Sequence, residues 1–150
     1  LALHAASASA VRVEVSLSEE LPPLDADPDL VRAALENLVR NALEAMPDGG
    51  ALRVDVGPVR GPREQGVLLA VSDTGVGMDA RTRAQAFEEF FTTKASGTGL
   101  GLAFVRRIVE AHGGEVRLTS REREGTQVQL FFPLSGALVA SPNGPGPRGR

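Results

Sequence analysis

The sequence contains no cysteine and only two histidines in 150 residues. Disulfides and thiolate metal sites are thereby excluded, and two histidines are too few for a histidine-based metal cluster. A reducing compartment is permitted, and the cytoplasm is the expected location. No apolar run approaches the ~18 residues of a membrane span, so this segment is expected to make no direct membrane contact. No secretory signal is read at its start. Because the first residue is Leu1 rather than Met, the chain reads as a piece of a longer parent, which could itself be membrane-anchored. The net charge of −3 provides no broad basic field, which argues against nucleic acid as a partner. What remains is an ordinary globular composition, 42% apolar and 23% charged, long enough for one domain with a real core.

Three regions follow from the pattern along the chain. Residues 1–10, rich in Ala and Ser, read as the end of a linker or helix. Residues 11–134 carry the folded domain. Residues 135–150, full of Pro and Gly, are expected to be disordered. Within the domain, residues 11–15 alternate apolar and polar, as a half-buried strand does. Asp27 is placed to cap a helix with Pro28 at its first position and Asp29 in its first turn. Leu30, Ala34, Leu35, Leu38, Ala42 and Met46 recur at helical spacing and should face the core. Strands are expected near 51–56 and 67–72, with an exposed hairpin loop across 57–66 between them. A glycine loop over 73–78 leads to a short helix capped by Asp79. A second glycine turn opens a helix that His112-Gly113-Gly114 stops. A closing hairpin, 115–119 and 127–132, turns around 121–125. Strands early and late with helical segments between them predict an α+β fold, with helices on one face of a mixed sheet.

The second glycine turn, Gly97-Thr98-Gly99-Leu100-Gly101-Leu102, carries the most information. Glycines let backbone N–H groups approach an anion, and a helix starting directly behind them adds unpaired donors and the positive end of its dipole. Such an arrangement holds a polyphosphate. In the first helix Asn37, Asn41 and Glu44 share one stripe beside the apolar face. An amide oxygen suits Mg²⁺, which takes oxygen donors, keeps waters and completes its shell with nucleotide phosphates. The plain alternative is solvent-facing amides, although two asparagines in mid-helix call for a reason. Asp73, at a strand end before Gly75 and Gly77, can accept a hydrogen bond from an exocyclic amine such as adenine N6, or can simply cap a tight turn. Lys94 can reach a terminal phosphate or remain a solvated loop lysine. Phe87, Phe90 and Phe91 read as packing anchors, and Arg106 and Arg107 as a solvated helix face. His112, at a helix end where a cation would suit the dipole, reads as structural.

Taken in order, these segments resemble the catalytic ATP-binding domain of sensor histidine kinases, within the superfamily shared with DNA gyrase, the MutL repair ATPases and heat-shock chaperones. Leu35-Glu36-Asn37-Leu38-Val39-Arg40-Asn41-Ala42 is similar to the N box. Asp73-Thr74-Gly75-Val76-Gly77-Met78 is similar to the first glycine box, and Phe87 to Lys94 to the phenylalanine box with a short lid. Gly97 to Leu102 corresponds to the second glycine box, and Gly125-Thr126 to the small terminal motif near the adenine. Four ordered motifs over residues 11–133 are far more specific than any one of them. Phe-Phe-Thr-Thr-Lys with a short lid is closest to the nitrogen-regulation type.

The resemblance implies a two-layer α/β sandwich of the Bergerat type, with a mixed, mostly antiparallel sheet. It implies ATP and Mg²⁺ as cofactors, Asn41 on the metal and Asn37 beside it, with Asn37, Asn41 and Lys94 as the catalytic set. It further implies that Asp73 reads the adenine amine, that Gly75 and Gly77 let the base approach, and that Thr126 supports it through water. Gly97, Gly99, Leu100 and Gly101 would wrap the phosphates, helped by Lys94 and Thr98. The implied partners are a phospho-accepting histidine on a dimerisation domain and a response regulator. Two departures sharpen this. His4 is followed by Ala5 rather than an acidic residue and has no two-helix hairpin beside it, so the acceptor domain is expected to be absent from this segment. The ATP-hydrolysing cousins carry a glutamate four residues before the metal-binding asparagine, where this chain has Asn37. Glu36 stands one residue away, about 100° around the helix from the ligand stripe. A kinase is therefore favoured over a hydrolase; a stand-alone ATPase or protein serine kinase of the same superfamily, and a non-catalytic adenine-nucleotide-binding module, are the alternatives. A dinucleotide-binding reading ranks last, because Gly-x-Gly-x-Gly here has no strand directly before it.

Overall fold

The computed structural model describes residues 10–88 and 101–134. Lys94, Thr98, Gly99 and Leu100 lie outside the described residues, as do His4, Phe90, Phe91 and the tail from 135 onward. In chain order the elements are β1 (Val11–Leu17), α1 (Pro28–Glu44), β2 (Gly50–Arg60), β3 (Gln65–Asp73), α2 (Ala80–Gln85), α3 (Gly101–Ala111), β4 (Glu115–Arg121) and β5 (Gly125–Pro133). The five strands form one sheet in the order β1-β2-β3-β5-β4. β1 runs parallel to β2, with α1 as the crossover that a parallel pair requires. Every other pairing is antiparallel.

Period-2 alternation turns one side of the sheet inward. Leu52 and Val54 of β2, Leu69 and Val71 of β3, and Val128, Leu130 and Phe132 of β5 meet Ala34, Leu38 and Ala42 of α1 and Val105, Ile108 and Val109 of α3. This is the expected α+β sandwich: a mixed, mostly antiparallel sheet with helices over one face. Ala34, Leu38, Ala42 and Met46 are buried as their spacing predicts. Leu30 is 38% exposed in the first turn of α1, and Val39 takes a core place that the spacing did not assign to it. The N-cap forms as read from the sequence, with the Asp27 carboxylate accepting N–H bonds from Asp29 at 2.9 Å and Leu30 at 3.2 Å.

Three details depart from the sequence pattern. The hairpin between β2 and β3 is much longer than expected, and only residues 61–64 form the loop. Pro58 is tolerated in mid-strand because of where β1 ends. Val56 O accepts the Ser18 N–H at 2.9 Å on the β1 side, and Pro58, two residues on, turns its nitrogen to that same side past Leu17, where no ladder bond is lost. Secondly, β1 is less buried than its alternation suggests. Val13 and Val15 are in register with Leu52 and Val54 and share their face, yet are 43% and 62% exposed. α1 and α3 pack over β2 to β5, and β1 projects beyond them.

The third concerns the end of α3. Gly113 adopts φ 75° and donates to Glu110 O, while Gly114 donates to Val109 O, the paired bonds of a Schellman stop. His112 completes this corner as an uncharged tie rather than a dipole-stabilised cation. Its Nδ1 lies 2.7 Å from Ile108 O and donates to it, which leaves Nε2 to accept the Asp27 N–H at 3.0 Å. One imidazole thus joins the end of α3 to the cap of α1, with its ring edge-on to Phe132.

Candidate functional site

α1 carries two half-buried asparagines one turn apart on the flank that faces the start of α3. Asn37 Nδ2 donates to Ala33 O at 2.8 Å, so its Oδ1 is turned away from the helix backbone. A Cβ placed on Gly101 would lie 3.6 Å from Asn37 Oδ1, 3.6 Å from Asn41 Nδ2 and 3.9 Å from Asn41 Oδ1. The first residue of α3 therefore stands directly over both amides. Glu44 is exposed further along α1, and Glu36 is exposed beside Asn37.

The loop after β3 is fastened at several points. Thr74 exchanges two bonds with Ala51 of β2, its N–H donating to Ala51 O and its Oγ1 accepting the Ala51 N–H at 2.9 Å. Val76 N–H donates at 3.0 Å to Ala45 O, and Ala45 N–H in turn donates to Asn41 O, so the loop hangs from the turn of α1 that follows Asn41. A Cβ on Gly75 would collide with the Ala45 carbonyl, which is why that close approach needs glycine. Gly77 has φ 65°, and a Cβ there would meet the Arg121 carbonyl.

Asp73 ends β3 with its carboxylate accepting N–H bonds from Gly75, at 2.9 Å, and from Thr126. Burial pushes its pKa above the ordinary carboxylate value, outweighing the two N–H donors that favour the charged form. The strand register puts Ser120 opposite Thr126, Thr126 opposite Asp73 and Asp73 opposite Leu52. These residues form one row across the end of the sheet, on its helix-covered face. The row and the asparagine pair lie on either side of the C-terminal end of α1, joined through Ala45.

Of the residues singled out from the sequence, Asn37, Asn41 and Gly101 are thus brought together, as are Asp73, Gly75, Gly77 and Thr126. Lys94, Thr98, Gly99 and Leu100 fall outside the described residues. Sequence reasoning missed Ala45, Ser120 and Arg83, whose guanidinium donates to Ser120 O at 2.8 Å. No spacing rule marks them, because they act on neighbouring strands and loops. Arg106 also proves more than a solvated cation: its guanidinium lies 5.6 Å from the Phe87 ring centre, holding that ring to α3.

Among the described residues no group of three or more His, Cys, Asp or Glu could hold a metal ion. The oxygen donors beside Gly101 are neutral amides. That donor set fits a hard divalent cation whose remaining shell comes from water and nucleotide phosphates.

An α+β sandwich with an acidic strand end, a glycine loop and paired helix asparagines around one helix terminus defines a purine-nucleotide-binding class of domain. Residues 26–136 match the family described as histidine kinase-, DNA gyrase B-, and HSP90-like ATPase, and the chain belongs to that family. It is 34% identical over 129 residues to sporulation kinase E of Bacillus subtilis (strain 168), covering 86% of this chain and 17% of that protein. It is 36% identical over 130 residues to the sensor histidine kinase ZraS of Escherichia coli (strain K12), covering 87% and 27%. Among solved structures, the nucleotide-free catalytic domain of the histidine kinase ThkA aligns with a TM-score of 0.70 at 30% identity, covering 82% of this chain and 78% of that one. Full-length ShkA in complex with AMPPNP aligns with a TM-score of 0.68 at 28% identity, covering 85% and 27%. The chain is thus homologous to the ATPase catalytic domain of sensor histidine kinases, and spans less than a third of the length of these curated relatives.

Proposed function

We propose that this domain binds ATP with Mg²⁺ and presents the γ-phosphoryl group to a histidine on a separate dimerisation domain of its parent. The observation that carries this reading is that Asn37, Asn41 and Gly101 stand together on one flank of α1, while the row of Asp73 and Thr126 is tied to the C-terminal end of the same helix through Ala45. Asp73 accepts from the adenine amine, and Gly75 and Gly77 let the base lie against the loop. Thr126 supports the base through water. Gly99, Leu100 and Gly101 wrap the phosphates, with Lys94 and Thr98 assisting. Asn41, with Asn37 beside it, holds Mg²⁺, which supplies charge neutralisation to the phosphates when bound.

In the transfer, the acceptor imidazole nitrogen bonds to the γ-phosphorus as the bond to the bridging oxygen breaks and ADP leaves. The chain's own contribution is to orient the nucleotide, since this chemistry asks for positioning and electrostatics rather than covalent steps. A response regulator would then take the phosphoryl group. No helix among the described residues is long and apolar enough to cross a membrane, and we place this domain in the cytoplasm. Asn37 at the position of a water-activating glutamate favours transfer over hydrolysis. The test mixes the chain with a dimerisation-domain fragment and γ-labelled ATP. Acid-labile, base-stable phosphohistidine is expected, with slow phosphate release by the chain alone. Rapid release without the acceptor would overturn the kinase reading in favour of an ATPase.

A further inference from the structure

Ser120 is the one buried polar side chain among the described residues, 2% exposed, and none of the roles above uses it. Its hydroxyl has one proton to give and two lone pairs to offer. Met78 N–H donates to Oγ at 2.8 Å, which occupies one lone pair. Oγ donates its proton to Gly125 O at 3.1 Å. Thr126 Oγ1 lies 2.7 Å away. The Gly125 carbonyl can only accept, so we assign the serine proton to it, and the Thr126 hydroxyl then supplies the hydrogen of that short contact. Thr126 thereby points its proton inward and is left with lone pairs on its other side.

We infer that Ser120 is a positioning residue for purine recognition: it fixes the Thr126 hydroxyl as an acceptor and pins the glycine loop through Met78. The inference rests on the nucleotide site proposed above. Thr126 neighbours Asp73 in the cross-strand row and gives its backbone N–H to that carboxylate. Two acceptors then border the place where the base edge is read, one charged and one neutral. An exocyclic amine, or a water that it orders, satisfies both by donating. The carbonyl that guanine carries at that position brings a third acceptor and has no proton to share. A freely rotating threonine hydroxyl would accommodate either base, so discrimination depends on its proton being held. Arg83, bonded to Ser120 O, and the Gly125 carbonyl hold the serine itself in place.

The experiment measures ADP and GDP affinities by calorimetry for the full chain and for Ser120→Ala, Thr126→Val, Thr126→Ser and the Ser120→Ala/Thr126→Val pair. The expected result is a preference for ADP that falls about tenfold in Ser120→Ala, the worth of one well-placed hydrogen bond. Thr126→Val should lose a similar factor, Thr126→Ser should keep the preference, and the double variant should be no worse than either single one. A purely structural role for Ser120 would weaken both nucleotides alike, leaving their ratio unchanged, and that result would overturn the inference. Multiplying losses in the double variant would do the same. Should Ser120→Ala fail to fold, Thr126→Val decides alone: an undiminished ratio there refutes the idea. If the unaltered chain binds neither nucleotide, it is the nucleotide site itself that fails, a separate outcome.

Discussion

Asp73→Asn separates recognition from folding more cleanly than any other single change, because the two should move independently. The wild-type carboxylate accepts two backbone N–H bonds and is charged while half-buried, at a cost that shows in its raised pKa. The amide relieves the cost of burying charge but keeps only one acceptor oxygen, so one of the two N–H bonds is weakened. Each effect is about 1 kcal/mol and they oppose, leaving folding stability within about 1 kcal/mol of wild type. Binding has no such offset. Loss of a charged acceptor for the adenine amine removes about 1.5–3 kcal/mol, or roughly a 10- to 150-fold rise in Kd for ATP. Stability by urea unfolding and Kd by calorimetry read the two quantities separately. The pH dependence adds a check on sign. A carboxyl whose pKa is raised in the folded state holds its proton where the unfolded chain has released it. Wild-type stability relative to Asp73→Asn should therefore be greatest in acid, fall as pH rises through the folded pKa, and stay level above it. An Asp73→Asn protein that binds ATP as tightly as wild type would refute the adenine-reading role. A relative stability that instead rises with pH would refute the account of its ionisation.

The other expectations concern the supports of the site. Gly77→Ala places a side chain at φ 65° against the Arg121 carbonyl, so it should lose at least about 2 kcal/mol of stability and weaken nucleotide binding; unchanged melting would show that the loop relaxes freely. Asn41→Ala should weaken ATP in the presence of Mg²⁺ at least tenfold while leaving the affinity for adenosine, which has no phosphates, within about twofold. An equal loss for both would move Asn41 from the metal to the base. His112→Ala removes the acceptor for the Asp27 N–H and the donor to Ile108 O, and should destabilise the chain by about 1–3 kcal/mol in urea without altering nucleotide Kd.

Much of this site was legible because each motif is local. The Asp27 cap, the apolar spacing of Ala34, Leu38 and Ala42, and the glycines at 75 and 77 are consequences of short-range geometry that a linear pattern displays. The failures share a different cause. The strand through Pro58 hides a turn-like composition that is acceptable only because β1 ends at Leu17, a fact about pairing that lies forty residues away in sequence. The exposure of Val13 and Val15 depends on how far the helices reach across the sheet, which their alternation does not encode. His112 could be recognised as structural, but its neutral form follows only from a partner 85 residues distant. Ser120 had no signal at all beyond being a small polar residue at the end of an alternating strand.

The position of the polar row explains why the proposed nucleotide site and the packed core meet at this end of the sheet. Along β5, Phe132, Leu130 and Val128 face the helices in succession, and the next residue of that series is Thr126. Along β3, Leu69 and Val71 lead in the same way to Asp73, and along β4, Val116 and Leu118 lead to Ser120. Each polar residue occupies a core-facing register position at the end of its strand, so it inherits the rigidity of the packed strands; Asp73 and Thr126 stay half-buried there, while Ser120 is buried. Burial also raises the Asp73 pKa, and its greater depth at Ser120 makes that hydroxyl take its partners from the protein. The strand pairing that builds the hydrophobic core thereby fixes the spacing of the polar groups, since a one-residue slip in any strand would send its polar residue to the opposite face.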